Sequence, residues 1–204
     1  LGRLTLLFEL SLNMNHLNGT LPTELGLLTF LGWLSLANNS FTGTLPTELG
    51  EMSYLATLDL SENLFTGTLP TELGQLTQLY DLYVKGNDLN GTLPTQLGQI
   101  TSLLSLYLQE NKFTGTLPTQ LGMLMSMEEF NATANEFTGT VPMDLSGLVN
   151  LTSFTFHDND LTGSVNDIFC TGTTRWYTLQ SDCLTTDGQT EIECDCCDVC
   201  CNAN

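Results

Sequence analysis

The chain has 204 residues, of which 23 are acidic and only 4 are basic, so its formal net charge is −19. This length suffices for one domain with a sizeable core. The charge argues against nucleic acid and anionic membranes as partners, because both are bound through basic surfaces. The sequence contains no run of 18 apolar residues, so we expect no membrane insertion of this segment.

The acidic residues are scattered along the chain rather than clustered in ligand loops. They indicate a soluble, self-repelling surface. Binding of divalent cations or of a basic partner is the alternative, and we predict no resident metal and no cofactor.

The sequence repeats every 24 residues, seven times without insertion or deletion, over residues 1–168. Asparagine recurs at repeat position 15 and glycine at position 19 in all seven copies, and all six prolines stand at position 22. Apolar residues fill positions 1, 4, 7, 10, 12, 17 and 21. A fixed period of this length predicts a solenoid, in which each coil buries its apolar side only against its neighbours.

We expect the first coil to begin without a preceding cap. Residues 1–10 fit the repeat register better than they fit a signal-peptide core. We therefore expect Leu1, Leu4 and Leu7 to face solvent, unless the sequence is cut from a longer protein or another subunit stacks there. Self-association through this edge is a candidate interaction.

Within each repeat, the alternating end of L-x-x-L-x-L predicts a short strand with inward residues such as Leu58 and Leu60. The asparagine that follows is expected to bond turn backbone in a ladder shared by stacked coils. After the proline, T-E-L-G-x-L predicts a helical or 3₁₀ segment on the convex side.

The whole motif, L-x-x-L-x-L-x-x-N-x-F-T-G-T-L-P-T-E-L-G-x-L, resembles the plant-type leucine-rich repeat, which also occurs in algae. The resemblance implies an α/β solenoid: a right-handed, curved horseshoe with a concave parallel β-sheet and a second short lateral strand in each coil. Members of this class are mostly extracellular receptor ectodomains, inhibitors and adhesion proteins.

The outward positions of the concave strands vary from coil to coil, as expected for a recognition surface. We expect Tyr83 and Tyr107 to stack as neighbours, with Trp33 two coils away. Exposed aromatics with a polar rim are typical of binding hot spots, although a tyrosine ladder that only stabilises the sheet is an equally good interpretation. The candidate ligand-binding residues are Trp33, Asp59, Asp81, Tyr83, Lys85 and Tyr107.

The lateral strands carry Thr-Gly-Thr or a close variant at positions 18–20 of every repeat. Two parallel files of threonine are expected, and these resemble the arrays of ice-binding solenoids. The ordinary explanation is that threonine favours exposed strands, and the sequons at Asn18 and Asn90 would place a glycan in the file.

All seven cysteines follow the repeats, and residues 169–204 are expected to form a disulfide-rich C-terminal cap. Three bridges would leave one cysteine over, and the pairing cannot be read from sequence. A metal cluster is the rival interpretation. The candidate disulfide cysteines are Cys170, Cys183, Cys194, Cys196, Cys197, Cys200 and Cys201.

Sequons for N-glycosylation, together with the cysteines, favour the secretory route, so we expect a protein that is secreted or on the extracellular face of the plasma membrane. The candidate glycosylation sites are Asn18, Asn38, Asn90, Asn131 and Asn150.

No catalytic constellation is evident, and the two histidines, His16 and His157, lie six coils apart. We therefore expect a non-enzymatic recognition module that binds a protein, peptide or glycan through the concave face. The alternatives are a structural glycoprotein subunit of an extracellular assembly or filament and, as a minor one, ice binding through the lateral array.

Overall fold

The computed structural model describes residues 3–170, 178–182, 192–197 and 199–201. Its architecture is the predicted solenoid, with one parallel sheet along the concave side, a second along a lateral side, and a row of 3₁₀ helices on the third side. No helix in these ranges is both long enough and apolar enough to cross a membrane.

The concave sheet pairs strands of successive coils in register. Each of the first seven strands contributes residues 9–11 of its repeat, so Tyr83 lies beside Tyr107 and Asp81 lies beside Ser105. The nine strands, in spatial order, are β1 (Glu9–Ser11), β3 (Trp33–Ser35), β5 (Thr57–Asp59), β7 (Asp81–Tyr83), β9 (Ser105–Tyr107), β11 (Glu129–Asn131), β13 (Ser153–Thr155), β15 (Thr178–Asp182) and β17 (Val199–Cys201).

The lateral sheet confirms the second short strand of each coil, but its strands pair with an offset of two residues. Thr140 pairs with Thr162, so position 20 of one coil lies beside position 18 of the next. The two expected side-by-side threonine files are therefore staggered diagonally. The eight strands are β2 (Asn18–Gly19), β4 (Ser40–Gly43), β6 (Leu64–Gly67), β8 (Asp88–Gly91), β10 (Lys112–Gly115), β12 (Glu136–Thr140), β14 (Asp160–Ser164) and β16 (Ile192–Glu193).

The third side consists of short 3₁₀ helices, each of which begins directly after the repeat's proline. The proline itself has extended backbone, which suits its fixed φ, and it has no backbone N–H to donate. At position 2 of the repeat, glycine allows adjacent coils to approach closely: a Cβ at Gly50 would lie 2.4 Å from the carbonyl oxygen of Glu72. The six helices are Thr23–Leu27, Thr47–Glu51, Thr71–Gln75, Thr95–Gln99, Thr119–Met123 and Met143–Gly147.

One continuous core fills the space between the three sides. Leu58, Leu60 and Phe65 are fully buried and repeat in neighbouring coils as Leu82, Val84 and Leu89. Burial of an aliphatic or aromatic side chain contributes about 1.5–3 kcal/mol, and in a solenoid this gain exists only between stacked coils.

The predicted asparagine ladder joins each coil to the coil before it. Asn111 donates to the carbonyl oxygens of Leu108 and Gln109 in its own turn, and to that of Val84 in the preceding coil at 2.9 Å. Its Oδ1 accepts from the backbone N–H of Leu89 at 3.0 Å. The buried amide thereby satisfies backbone groups of two turns that would otherwise be unpaired.

The outer side of the first coil is exposed at Leu4, which is 53% exposed, as expected. Leu7 was expected to face solvent but is half-buried, because it packs against the core, and Leu1 lies outside the described residues. Leu6 and Phe8 are also exposed. Self-association through this edge stays a prediction.

Beyond the seventh repeat, the described strands continue both sheets instead of forming a separate body. Strands β15 and β17 extend the concave sheet and β16 extends the lateral one. The α-helix α1 (Asn166–Phe169) spans the predicted boundary, and Phe169 packs edge-on against Phe154. The predicted cap therefore stacks directly on the last repeat.

Disulfide bonds hold this end of the solenoid. Cys170 is bonded to Cys196 and Cys194 to Cys197. Three of these sulfur atoms lie within 4.8 Å of one another, so the sulfurs that a metal cluster would use are those of the bridges. Cys183 and the side chains of Cys200 and Cys201 lie outside the described part of the chain.

Candidate functional site

A cleft of about 300 Å³ opens on the concave sheet near the middle of the solenoid. Because side chains alternate along a strand, Leu82 and Leu106 enter the core while the residues on either side of them point into the concavity. This concave cleft is lined by Ala37, Asn38, Asp59, Ser61, Tyr83, Lys85, Tyr107 and Gln109.

Four of the six predicted ligand-binding residues line the concave cleft, namely Asp59, Tyr83, Lys85 and Tyr107. Asp81 lies beside it, on the same strand and face as Tyr83. Trp33 is 44% exposed on the same sheet but does not line the cleft.

Tyr83 and Tyr107 form the aromatic centre of the cleft. Their ring centroids lie 5.1 Å apart and their planes are inclined by 48°, so the two rings are in contact as neighbours but are tilted instead of stacked as predicted. Both side chains are half-buried, which leaves ring surface open to the concavity.

Glu129 adds strand β11 to the site, next to the strands β5, β7 and β9 that carry Asp59, Tyr83 and Tyr107. The Tyr107 hydroxyl donates a hydrogen bond to its carboxylate. This contact was not predicted from the sequence, although position 9 of one coil lies diagonally beside position 11 of the coil before it.

The two phenols are partly buried and lie near the negatively charged carboxylates of Asp81 and Glu129. Burial, followed by the negative charge of Asp81, raises the pKa of Tyr83. Burial, the hydrogen bond to Glu129 and the charge of that carboxylate raise the pKa of Tyr107. Both phenols are therefore neutral at physiological pH and act as hydrogen-bonding groups, not as anions.

Neutral donors orient the two aspartates. The Ser35 hydroxyl donates to Asp59 Oδ2 at 3.3 Å, and the backbone N–H of Ser61 donates to Asp59 Oδ1 at 3.1 Å. Thr57, which is buried, donates through its hydroxyl to Asp81 Oδ2 at 3.1 Å. In the described part of the chain, neither aspartate takes part in an ion pair.

Lys85, the cation of the cleft, is paired with Glu62. The distance from its Nζ to Glu62 Oε1 is 3.4 Å, and both side chains are 42% exposed. The Glu62 carboxylate lies against Gly86, where a Cβ would approach it to 2.8 Å. Repeat position 14 has a positive φ in every coil, and Gly86 is the one glycine among its seven residues. Because Gly86 has no side chain, the Glu62 carboxylate has room to lie over it and to pair with Lys85.

A buried acceptor completes the floor of the cleft. Gln109 Oε1 is shielded from solvent and has no hydrogen-bond donor among the described residues. An unpaired buried acceptor costs about 1–3 kcal/mol of stability. This one lies in the same cleft as the two tyrosines.

The five sequon asparagines fall on different surfaces of the solenoid. Asn18 and Asn90 are exposed on lateral strands, Asn38 is exposed in a turn, and Asn150 is exposed near the 3₁₀ side, where it donates to the Met125 carbonyl. Asn131 is half-buried on the concave sheet and accepts from the backbone N–H of Thr133. Their glycosylation stays a prediction.

Comparison with known families identifies the repeats. Residues 3–185 match the family model described as a leucine-rich repeat region. The chain belongs to the leucine-rich-repeat family. No curated protein has a significant sequence match to this leucine-rich-repeat chain.

Solved structures with the same fold include plant receptors. The plant peptide hormone receptor RGFR1, in complex with RGF2, is 32% identical with a TM-score of 0.85, over 90% of this chain and 30% of the receptor chain. PEPR1, solved with AtPEP1, is 35% identical with a TM-score of 0.80, over 87% of this chain and 25% of that chain. The leucine-rich-repeat chain thus spans a third or less of these receptor chains, and its repeats are of the plant type.

A plant ice-binding protein also shares the fold, with 24% identity and a TM-score of 0.59, over 80% of this chain and 68% of that one. At this identity the likeness concerns the fold alone.

Proposed function

We propose that this protein is an extracellular recognition module that binds a peptide in the concave cleft. The observation that carries the proposal is the Tyr83–Tyr107 pair, which places two partly open aromatic faces in a recess of about 300 Å³. Aromatic anchors in recesses, surrounded by polar groups, supply most of the binding energy at peptide and protein interfaces.

The comparisons support a peptide as the ligand. RGFR1 is described as a plant peptide hormone receptor, and its leucine-rich-repeat fold matches 90% of this chain. Independently of these relatives, the aromatic and polar side chains that line the cleft come from several coils, which suits an extended ligand. A protein or glycan ligand remains an outcome of the test.

The test is selection of a random peptide library on the immobilised full chain, with a glycan array in parallel. We expect selected peptides to bind the wild type and to lose at least about tenfold in affinity to the double variant Tyr83→Ala/Tyr107→Ala, since two anchors contribute more than about 1.4 kcal/mol together.

The matched control is Tyr54→Ala/Tyr80→Ala, which removes two exposed tyrosines that do not line the cleft. Circular dichroism establishes that each variant is folded. Equal binding by both double variants, or recognition of glycans without peptides, would contradict the proposal.

Ice binding is a second candidate function, favoured by the exposure of the lateral threonines such as Thr66, Thr68 and Thr138. The staggered pairing and the Asp88–Lys112 ion pair at 2.6 Å interrupt a flat, uncharged array, so we rank this function below peptide binding. Absence of ice recrystallisation inhibition at high protein concentration would eliminate it.

A further inference from the structure

The concave cleft carries an excess of negative charge at its aromatic centre. Asp59, Asp81 and Glu129 point to the concave side around Tyr83 and Tyr107. None of the three carboxylates takes part in an ion pair within the described residues.

The lysine of the cleft does not offset this charge, because it is already paired. Lys85 contacts Glu62, which is itself fixed over the bare backbone of Gly86. An exposed ion pair contributes little to stability. Here, however, the Glu62 carboxylate offsets the charge of Lys85, which would otherwise repel a positively charged ligand.

The carboxylates are oriented by neutral donors and retain free lone pairs. Asp81 accepts from Thr57, and Glu129 accepts from the Tyr107 hydroxyl. A carboxylate has about four acceptor sites, so each oxygen pair can still receive donors from the concave side.

The tyrosine faces suit an organic cation better than a metal ion. Ring faces attract ammonium and guanidinium groups within about 6 Å of the centroid. Divalent cations need several converging oxygen ligands, and among the described residues no three carboxylate groups converge closely enough to hold one. Burial is the main cause of the raised pKa of both phenols, and the negative charges of Asp81 and Glu129, which raise it further, also attract a cation.

We propose that the Tyr83–Tyr107 pair, with Asp59, Asp81 and Glu129, is a subsite for an arginine side chain of the ligand. This inference rests on the proposed function and specifies its ligand as a basic peptide. Guanidinium is favoured over ammonium because its plane stacks on an aromatic ring while its edge donates to a carboxylate in two parallel hydrogen bonds. The two ring centroids lie 5.1 Å apart with their planes inclined by 48°, so a guanidinium that stacks on one ring lies beside the other.

The first experiment uses three short probes: N-acetyl-Gly-Arg-Gly amide, its lysine counterpart and its citrulline counterpart. Citrulline has nearly the shape of arginine but no charge. Ring resonances of Tyr83 and Tyr107 are followed by NMR at physiological salt. We expect the arginine probe to bind about tenfold more tightly than the citrulline probe, with lysine between them.

Variants separate the subsite from the general negative charge of the protein. Asp59→Asn/Asp81→Asn is expected to weaken the arginine probe about tenfold. The control Glu136→Gln/Asp160→Asn removes the same charge from exposed lateral positions and should change affinity less than about twofold at this ionic strength. Equal binding of arginine and citrulline probes, or equal losses in the two variants, would overturn the proposal.

The library selection distinguishes this inference from the function on which it rests. If selected peptides need Tyr83 and Tyr107 but are not enriched in arginine, and replacing their arginines by citrulline has no effect, the arginine subsite is wrong while peptide recognition stands. If no peptide binds, both are wrong.

Discussion

The concave and lateral sheets come from the same 24-residue period, yet they pair in different registers and carry different residues. Concave partners are 24 residues apart, as in Tyr83 and Tyr107, whereas lateral partners are 22 residues apart, as in Thr140 and Thr162. The outward concave positions vary between coils, while positions 18–20 of the lateral strands hardly change. The comparison indicates that the lateral sheet maintains the solenoid and the concave sheet is available for recognition.

The in-register sheet can combine side chains from several coils into one site. Glu129, Tyr107, Tyr83 and Asp81 come from three successive coils and meet on one face. On the lateral sheet, the offset of two residues places Thr66 beside Asp88 and Thr114 beside Glu136, so the threonines do not form one uninterrupted file. Substitutions on each sheet can test this division.

The asparagine ladder serves both sheets, and its loss should be the most damaging. Asn111→Ala leaves the Leu89 N–H and three carbonyl groups without their partner. We expect the free energy of unfolding in urea to fall by about 3 kcal/mol. The same change at Asn15, which is exposed and bonds only its own turn, should cost less than about 1 kcal/mol; equal losses would contradict a ladder that acts between coils.

Glycine in the lateral sheet should be nearly as sensitive. Gly115 has φ +74°, and a Cβ there would lie 2.8 Å from Thr92 Cγ2. Gly115→Ala is expected to cost about 2 kcal/mol in thermal or urea unfolding, from both strain and the clash. Thr92→Ser removes the clashing methyl, so the double variant should recover part of the loss. No recovery would show that backbone strain alone is responsible.

One substitution made on each sheet contrasts them directly. Thr57→Val on the concave sheet removes the hydroxyl that donates to Asp81 at 3.1 Å, and we expect a loss of about 1 kcal/mol. Thr66→Val on the lateral sheet changes an exposed side chain and should alter stability by less than about 0.5 kcal/mol. A larger loss at Thr66 would refute the assignment of the side-chain network to the concave side.

The smallest effect concerns alkaline pH. Because the folded state raises the pKa of Tyr83 and Tyr107, these phenols keep their protons where an unfolded chain loses them, at about pH 10. Stability present below that pH is therefore lost as the pH rises further. Ultraviolet titration of phenolate should show a late component that Tyr107→Phe removes and Glu129→Gln shifts to lower pH. A titration unchanged by either substitution would contradict the Glu129 contact.

Much of the fold could be predicted because the same sequence pattern occurs seven times in the chain. Leu58 and Leu82, Asn63 and Asn111, and Gly43 and Gly115 are pairs of equivalent positions with the same burial or conformation, so their spacing alone indicates their roles. The same regularity placed Tyr83 beside Tyr107. The function of that pair was not predictable, because it depends on which side chains surround it.

The solenoid, its core positions and the asparagine ladder could be predicted from the sequence, because each follows from local conformation repeated at a fixed period. The cysteine-rich end could be predicted because all seven cysteines follow the repeats. Tertiary structure decided the rest: the offset of the lateral sheet, the pairing of Cys170 with Cys196, the bond from Tyr107 to Glu129 and the fixing of Lys85 by Glu62 over Gly86. These features depend on the distances between side chains of adjacent coils and on the directions in which those side chains point. Both depend on strand tilt and rotamer, which the 24-residue period does not specify.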